Sequence, residues 1–329
     1  MALEFVNALT PNPQPLIPNP YEGNTVFDSF IQNLFNALQW GSFYSLIALG
    51  YTLVYGVLTL INFAHGDIFM VGAYIAFFVA TFFLGHATGL PGGFVLILTI
   101  PLTMILTACV GVTLERIAYR PLRRKGANRL YVVITALMCG LILENGNLAL
   151  LGASRKSFPE LVEKTVYTFG MVSMTNLKIA VIISAILVFI LLQFIVTKTR
   201  IGMAMRAISY DKFAVPLMGI PIDTIIVFTF ALGSSMAGLA GLLYSLSYPI
   251  LDPYMGALIG WKAFIAAVVG GIGDIRGAFL GGFVLGFVEI LVVAFFPSTF
   301  RDLIAFSILL LILVYKPTGL FGVAKTTKI

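Results

Sequence analysis

His65 and Asp67 stand two residues apart in a polar break, Asn62-Phe63-Ala64-His65-Gly66-Asp67, between two apolar runs. An imidazole and a carboxyl inside apolar sequence can offer polar contacts to a solute that crosses there. Charge in hydrocarbon is costly, so each such group needs a partner or a water-filled path. Gly273-Asp274 makes a similar break in the last third of the chain. Interruptions of this kind, one in each half, point to a permeation path or a hinge. The other reading is an ordinary cytoplasmic turn whose acid caps the next helix. Glu144, Asn145 and Asn147 lie in the later half of another apolar run, and Glu289 in a further one. Both helix-helix hydrogen bonding and the lining of a polar path are open to them. From these, Asn62, His65, Asp67, Glu144 and Asn145 are the candidates for a substrate path. Lys262 is expected near a membrane face, where its long stem can snorkel to water.

Most enzyme chemistry is missing. The chain has no G-x-x-x-x-G-K-[ST], so it has no phosphate loop with which to hydrolyse ATP. H-E-x-x-H, G-x-S-x-G and paired-cysteine metal spacings are also lacking. The histidines are two, His65 and His86, too few for a histidine metal cluster. Cys109 and Cys139 sit in apolar stretches and read as buried, inert thiols. No catalytic residue, metal ligand or cofactor of its own is expected in this chain.

The elements that must position these residues are apolar helices. The chain is 59% hydrophobic and 10% charged, and its mean hydropathy is +1.01. A water-soluble domain needs far more charge to cover its surface. Six Lys or Arg fall in the fourteen residues Arg116 to Arg129, with none before them, and a second basic segment spans Lys198 to Lys212. Both are flanked by runs long enough to cross about 30 Å of hydrocarbon. Basic residues confined to short connections mark loops facing the cytoplasm. The pI near 9.3 is therefore read as membrane orientation, and no nucleic-acid partner is expected.

The expected fold class is an all-α polytopic membrane protein, a bundle of eight to ten transmembrane segments, some discontinuous. Residues 1–27 carry five prolines and read as an extended tail; 28–322 form the membrane domain; 323–329 are a C-terminal tail. Cytoplasmic loops are placed at 118–129 and 198–222, an external loop at 152–176 and the C-terminus inside. Phe30 to Ile61 reads either as one tilted helix or as two short ones. With no basic n-region at the N-terminus, the first helices are expected to serve as their own insertion signal. Gly233, Gly241, Gly277, Gly281, Gly282 and Gly286 have the small-residue spacing that lets helices approach closely in lipid. They would pack the bundle internally or meet a second membrane subunit.

Thr199 to Asp223 reads TRIGMAMRAISYDKFAVPLMGIPID. Met203 to Phe213 has room for about three helical turns, with Met203, Ala207 and Tyr210 on one face and Arg206 and Lys212 elsewhere. A short helix with protruding apolar side chains suits a partner's groove; resting on lipid is the alternative.

Three ordered blocks resemble a known family. The first is Gly50-Tyr-Thr-Leu-Val-Tyr-Gly56 through the Asn62 to Asp67 break to Gly72-Ala-Tyr74. The second is Glu115-Arg116, Ala118-Tyr-Arg-Pro121, Arg200, Gly202, Arg206-Ala207, Asp211 and Gly219-Ile220. The third is Pro253, Gly256, Lys262-Ala-Phe264, Gly270-Gly-Ile-Gly273, Gly277-Ala278 and Lys316-Pro-Thr-Gly319. From about Phe30 to Gly322 the chain resembles the LivH-type permeases of bacterial branched-chain and neutral amino-acid ABC importers, with a neutral amino-acid, NatD-like subgroup included. The resemblance implies a multi-pass subunit of the bacterial plasma (inner) membrane, in a hetero-oligomer with a second related permease, two cytoplasmic ABC ATPases and an extracytoplasmic amino-acid-binding protein. ATP and Mg would be bound on the ATPases. It further implies that Arg200, Gly202, Arg206, Ala207, Asp211 and Gly219 couple this chain to an ATPase. One departure is Tyr210, where such permeases often carry an acid. A urea or other small-polar-solute ABC permease, and an ion-coupled secondary transporter, are the alternatives.

Overall fold

The computed structural model describes residues 26–86, 91–169 and 172–322. The proline-rich stretch 1–25 and the tail 323–329 lie outside the described residues. The chain is helical nearly throughout. In order it forms α1 (Val26–Leu58), α2 (His65–His86), α3 (Gly92–Leu114), a π-helical turn (Glu115–Tyr119), α4 (Arg120–Arg124), α5 (Arg129–Leu151) and α6 (Asn176–Lys198). Then follow α7 (Arg200–Tyr210), α8 (Ala214–Leu217), α9 (Ile222–Ser247), α10 (Met255–Gly270), α11 (Ile275–Phe295) and α12 (Arg301–Tyr315). Among the described residues eight helical stretches are long and apolar enough to cross a membrane, and α10 is a shorter apolar helix. The protein is a multi-pass, all-α membrane protein.

The first apolar run is a single helix of 33 residues, not two. Gly41, Gly50, Gly56 and Ser45 along it meet the backbone of neighbouring elements. A Cβ added at Gly286 would collide with Gly41, and one at Gly282 with Ser45. Ser45 Oγ donates to the Phe279 carbonyl at 2.6 Å. Without a hydrophobic force between helices in lipid, such close backbone approach supplies the packing. α9 is the other central element. Gly233 lies against Gly50 and Val54, Gly238 against Gly72 and Thr107, and Gly241 against Phe69 and Ala73. Gly277 and Gly281 pack on Gly270 and Ala266 of α10. All six stripe glycines thus meet helices of this same chain.

The chain after Ile117 is not a loop. The helix runs on through the π turn to Arg124, leaving only a short turn before Asn128, whose side chain caps α5. The 152–176 segment carries short strands. Val166–Phe169 pairs antiparallel with Val172–Thr175, and Lys156–Ser157 pairs with Ile250–Leu251. This second pairing ties the segment before α6 to the turn before α10. At the other end, Arg120 meets Asp223 and Lys212 Nζ donates to the Leu58 carbonyl at 2.8 Å, so the two basic segments share one end of the bundle.

Candidate functional site

Two helices begin inside the bundle. Thr59 to Ala64 fold back beside α1, so that His65 starts α2 level with Gly50, where an added Cβ would strike the imidazole. Leu58 ends α1 eight residues farther on, about 12 Å of helix away. α10 also starts deep. A Cβ on Gly256 would lie 2.9 Å from Asp67 Oδ1 and from Met70 Cβ, and α2 continues sixteen residues beyond Met70. Gly66 packs on Gly256 and Gly260, so the first turns of α2 and α10 touch. The N-terminal ends of the two helix dipoles give that meeting point a positive potential.

Asp67 lies at this junction and is 9% exposed. Its Oδ1 has no hydrogen-bond partner. Gly140 of α5 and Gly256 of α10 leave the space it occupies: a side chain at either would meet the carboxyl oxygens. A cavity of about 310 Å³ opens here between α5 and α10. Tyr51, Asp67 and Glu144 supply its polar atoms, and Phe63, Met138 and Trp261 are among its apolar walls. A ring of apolar surface surrounds an unpaired acid, an arrangement suited to a small solute with a polar head and an apolar tail.

The other expected residues divide. His65 is buried behind the cavity, its ring 4.7 Å from that of Tyr51. Asn62 is buried too, and its Oδ1 accepts from Tyr119 Oη at 2.7 Å. Asn145 does not join them. Its amide donates to the Leu141 carbonyl of its own helix at 2.8 Å and is exposed. The helical period explains this: Gly140, Glu144 and Asn147 share the inward face, and Asn145 is turned about 100° from Glu144. Asn147 is the buried amide, with Nδ2 3.7 Å from Met70 Sδ.

The second break behaves as a capped turn. Asp274 Oδ1 accepts from the backbone of Arg276 at 2.8 Å and of Gly277 at 2.9 Å, starting α11. Lys262 corrects the sequence reading. It does not snorkel; it is 3% exposed and pairs with Glu289 Oε1 at 2.9 Å and Asp302 Oδ1 at 2.7 Å. Tyr44 Oη donates to Glu289 Oε2 at 2.8 Å. Two acids on α11 and α12 hold the cation of α10 inside the bundle, which position in the sequence did not indicate.

On the basic end, Thr199 caps α7 by accepting from Gly202 N at 3.1 Å. Gly202 packs on the backbone of Ile195 and Val196. Arg200 and Arg206 are exposed, Ala207 half-buried, and Gly219 turns the chain at φ +76°. Asp211 Oδ1 accepts from Phe213 N and Ala214 N, so it holds the α7–α8 corner. Met203 and Tyr210 share the outer face, as expected, but Arg206 lies there with them. Sequence reading missed the most protruding apolar groups after Tyr210 (94% exposed), namely Phe213 (90%) and Leu217 (89%). Apolar residues within a basic connection were the available signal.

The family described as branched-chain amino acid transport system / permease component matches residues 33–313. The high-affinity branched-chain amino acid transport system permease protein BraD of Pseudomonas aeruginosa is 38% identical over 306 residues, 91% of this chain and 98% of the relative. LivH of Escherichia coli K12, a permease protein of the same description, is 36% identical over 310 residues, again 91% and 98%. A probable branched-chain amino acid transport permease of Methanocaldococcus jannaschii is 29% identical over 87% of this chain and 91% of its own. No solved structure is significantly similar. A family match over residues 33–313 and relatives 36–38% identical across 91% of the chain lead to one conclusion: the chain belongs to the branched-chain amino acid transport system permease component family.

Proposed function

We propose that this chain carries neutral and branched-chain amino acids through the bacterial inner membrane, as one of two permeases in an ATP-driven importer. The observation that carries this reading is the Asp67 carboxyl, its Oδ1 without a partner, in the cavity between α5 and α10. Together with Glu144 it offers acceptors to a substrate ammonium, while the N-terminal dipole ends of α2 and α10 favour its carboxylate. Apolar walls take the side chain. Relatives named as branched-chain amino acid permeases support the substrate class.

The cavity is rimmed by exposed apolar side chains, Leu137, Met138 and Leu141 of α5 and Trp261 of α10, a surface that suits a second, related permease. It keeps the acids out of lipid. One of two ATPases grips the Met203, Tyr210, Phe213 and Leu217 surface at the cytoplasmic end, and ATP-driven closure of the pair rocks the helices between outward- and inward-open states. ATP and Mg stay on those subunits. An extracytoplasmic binding protein delivers substrate, and the C-terminus faces the cytoplasm with the basic segments.

The test is leucine uptake into proteoliposomes holding the assembled importer. Asp67→Asn is expected to lower uptake at least about tenfold, the cost of losing one charge-assisted hydrogen bond, with assembly and ATP hydrolysis retained. Wild-type uptake by Asp67→Asn would remove the assignment.

A further inference from the structure

The π turn at Glu115–Tyr119 stands between two hydrogen-bonded groups. Below it, Asp223 at the start of α9 is held by three guanidiniums. Arg120 approaches Oδ2 through Nη2 at 2.6 Å and Nε at 3.0 Å; Arg123 donates to Oδ1 at 2.6 Å and Arg124 to Oδ2 at 2.8 Å. Asp223 directly follows the α7–α8 segment and its Gly219 turn. Above it, Tyr119 hydrogen-bonds Asn62, three residues before the start of α2 and its cavity acid.

Two observations mark the turn as poised between arrangements. Glu115 is fully buried, yet its carboxylate is held by one ion pair, to Arg123 Nη2 at 3.0 Å, and neither oxygen accepts a hydrogen bond. Asn62 Nδ2 is likewise buried without a partner. A small void of about 10 Å³, lined by Asn62, Tyr119, Arg123 and Phe230, lies beside it. Burying unsatisfied polar groups is unfavourable, and a second register that satisfies them is a natural competitor. A π turn holds one residue more than the α-helix around it. Its conversion to α geometry would advance one flank by a residue, a rotation of about 100° and a shift of about 1.5 Å.

We infer that Glu115–Tyr119 is a register switch linking the ATPase-facing segment to the substrate cavity. Movement of α7–α8 pulls Asp223, Asp223 carries the arginines of α4, and the turn relays this through Tyr119 to Asn62 and the first turn of α2. This supplies the discrete two-state element that a coupling route between distant sites requires. It rests on the reading of α7–α8 as the ATPase contact. Tyr119 and Asp223 are positioning residues and touch no substrate.

The experiment uses the complete importer in nanodiscs with its binding protein. Tyr119→Phe keeps the ring and removes the hydroxyl; the stimulation of ATP hydrolysis by leucine-loaded binding protein is expected to fall about fivefold, the worth of one hydrogen bond, with unstimulated hydrolysis unchanged. Asp223→Asn is expected to do the same, and Asp223→Glu to restore coupling. Hydrogen exchange at 115–119 should differ between nucleotide-free and vanadate-trapped wild-type importer. Full stimulation in Tyr119→Phe, or identical exchange in the two wild-type states, overturns the switch even where the importer itself assembles and transports. A wild-type assembly without ATPases would instead defeat the underlying reading, and the switch with it.

Discussion

Lys262 Nζ lies 2.9 Å from Glu289 Oε1, and the two side chains are 3% and 2% exposed. They join α10 to α11, and Asp302 extends the pair to α12. α10 is also the helix whose first turn faces Asp67, so the buried pair fixes one wall of the cavity from behind.

Breaking that pair leaves a lone charge among apolar helices. Lys262→Met is expected to destabilise the protein by about 3–5 kcal/mol, while Lys262→Met combined with Glu289→Gln recovers a large part of the loss. Thermal unfolding in detergent of the two single variants and the double variant measures this. Additive losses would show that the two groups do not depend on each other.

Glycines around Asp67 give a steric prediction. Gly140→Ala places a methyl against Asp67 Oδ2, whereas Gly146→Ala, six residues along the same helix, meets nothing within 4 Å. The first is expected to cost about 1–3 kcal/mol and to reduce uptake. The second is expected to stabilise by up to about 1 kcal/mol through helix propensity. Melting temperatures and uptake measured side by side decide it; equal behaviour would contradict the placement of Asp67.

At the other break the acid is a cap. Asp274→Ala is expected to cost about 0.5–2 kcal/mol, and Asp274→Asn much less. The melting temperatures of the two variants are the measurement, and equal loss would mean that charge rather than capping matters there.

The surface beyond α7 is predicted to be the ATPase contact. Phe213→Ala and Leu217→Ala are each expected to weaken that contact by about 2 kcal/mol, roughly 30-fold in Kd. Titration of the purified ATPase against permease in nanodiscs reads it. Unaltered affinity in both variants would move the contact elsewhere.

Helix count, the basic end and the polar break were legible because hydropathy and the placement of Lys and Arg carry them directly. Lys262 was misread, because its buried state depends on Glu289 and Asp302, which are distant in sequence and brought together by packing alone. Asn145 was grouped with Glu144 by adjacency, where the helical period places Asn147 inward. The helix through Arg124 was hidden by its charge: basic residues signal the membrane boundary but do not end a helix. Asp223 and its three arginines were all visible as types, yet their meeting requires α4 to lie beside the start of α9. Strand pairing at Lys156–Ser157 with Ile250–Leu251 is too short to leave a periodic pattern.

Solvent access to the cavity during turnover tests the central claim most directly. With Cys109 and Cys139 replaced by Ala, Met138→Cys places a thiol on the cavity wall. In the working importer, leucine is predicted to slow its reaction with a charged maleimide, while a Lys125→Cys control in the exposed turn before α5 labels at the same rate with and without leucine. Labelling of the cavity thiol at the same rate with and without leucine, under conditions of active uptake, would contradict passage of substrate beside Asp67.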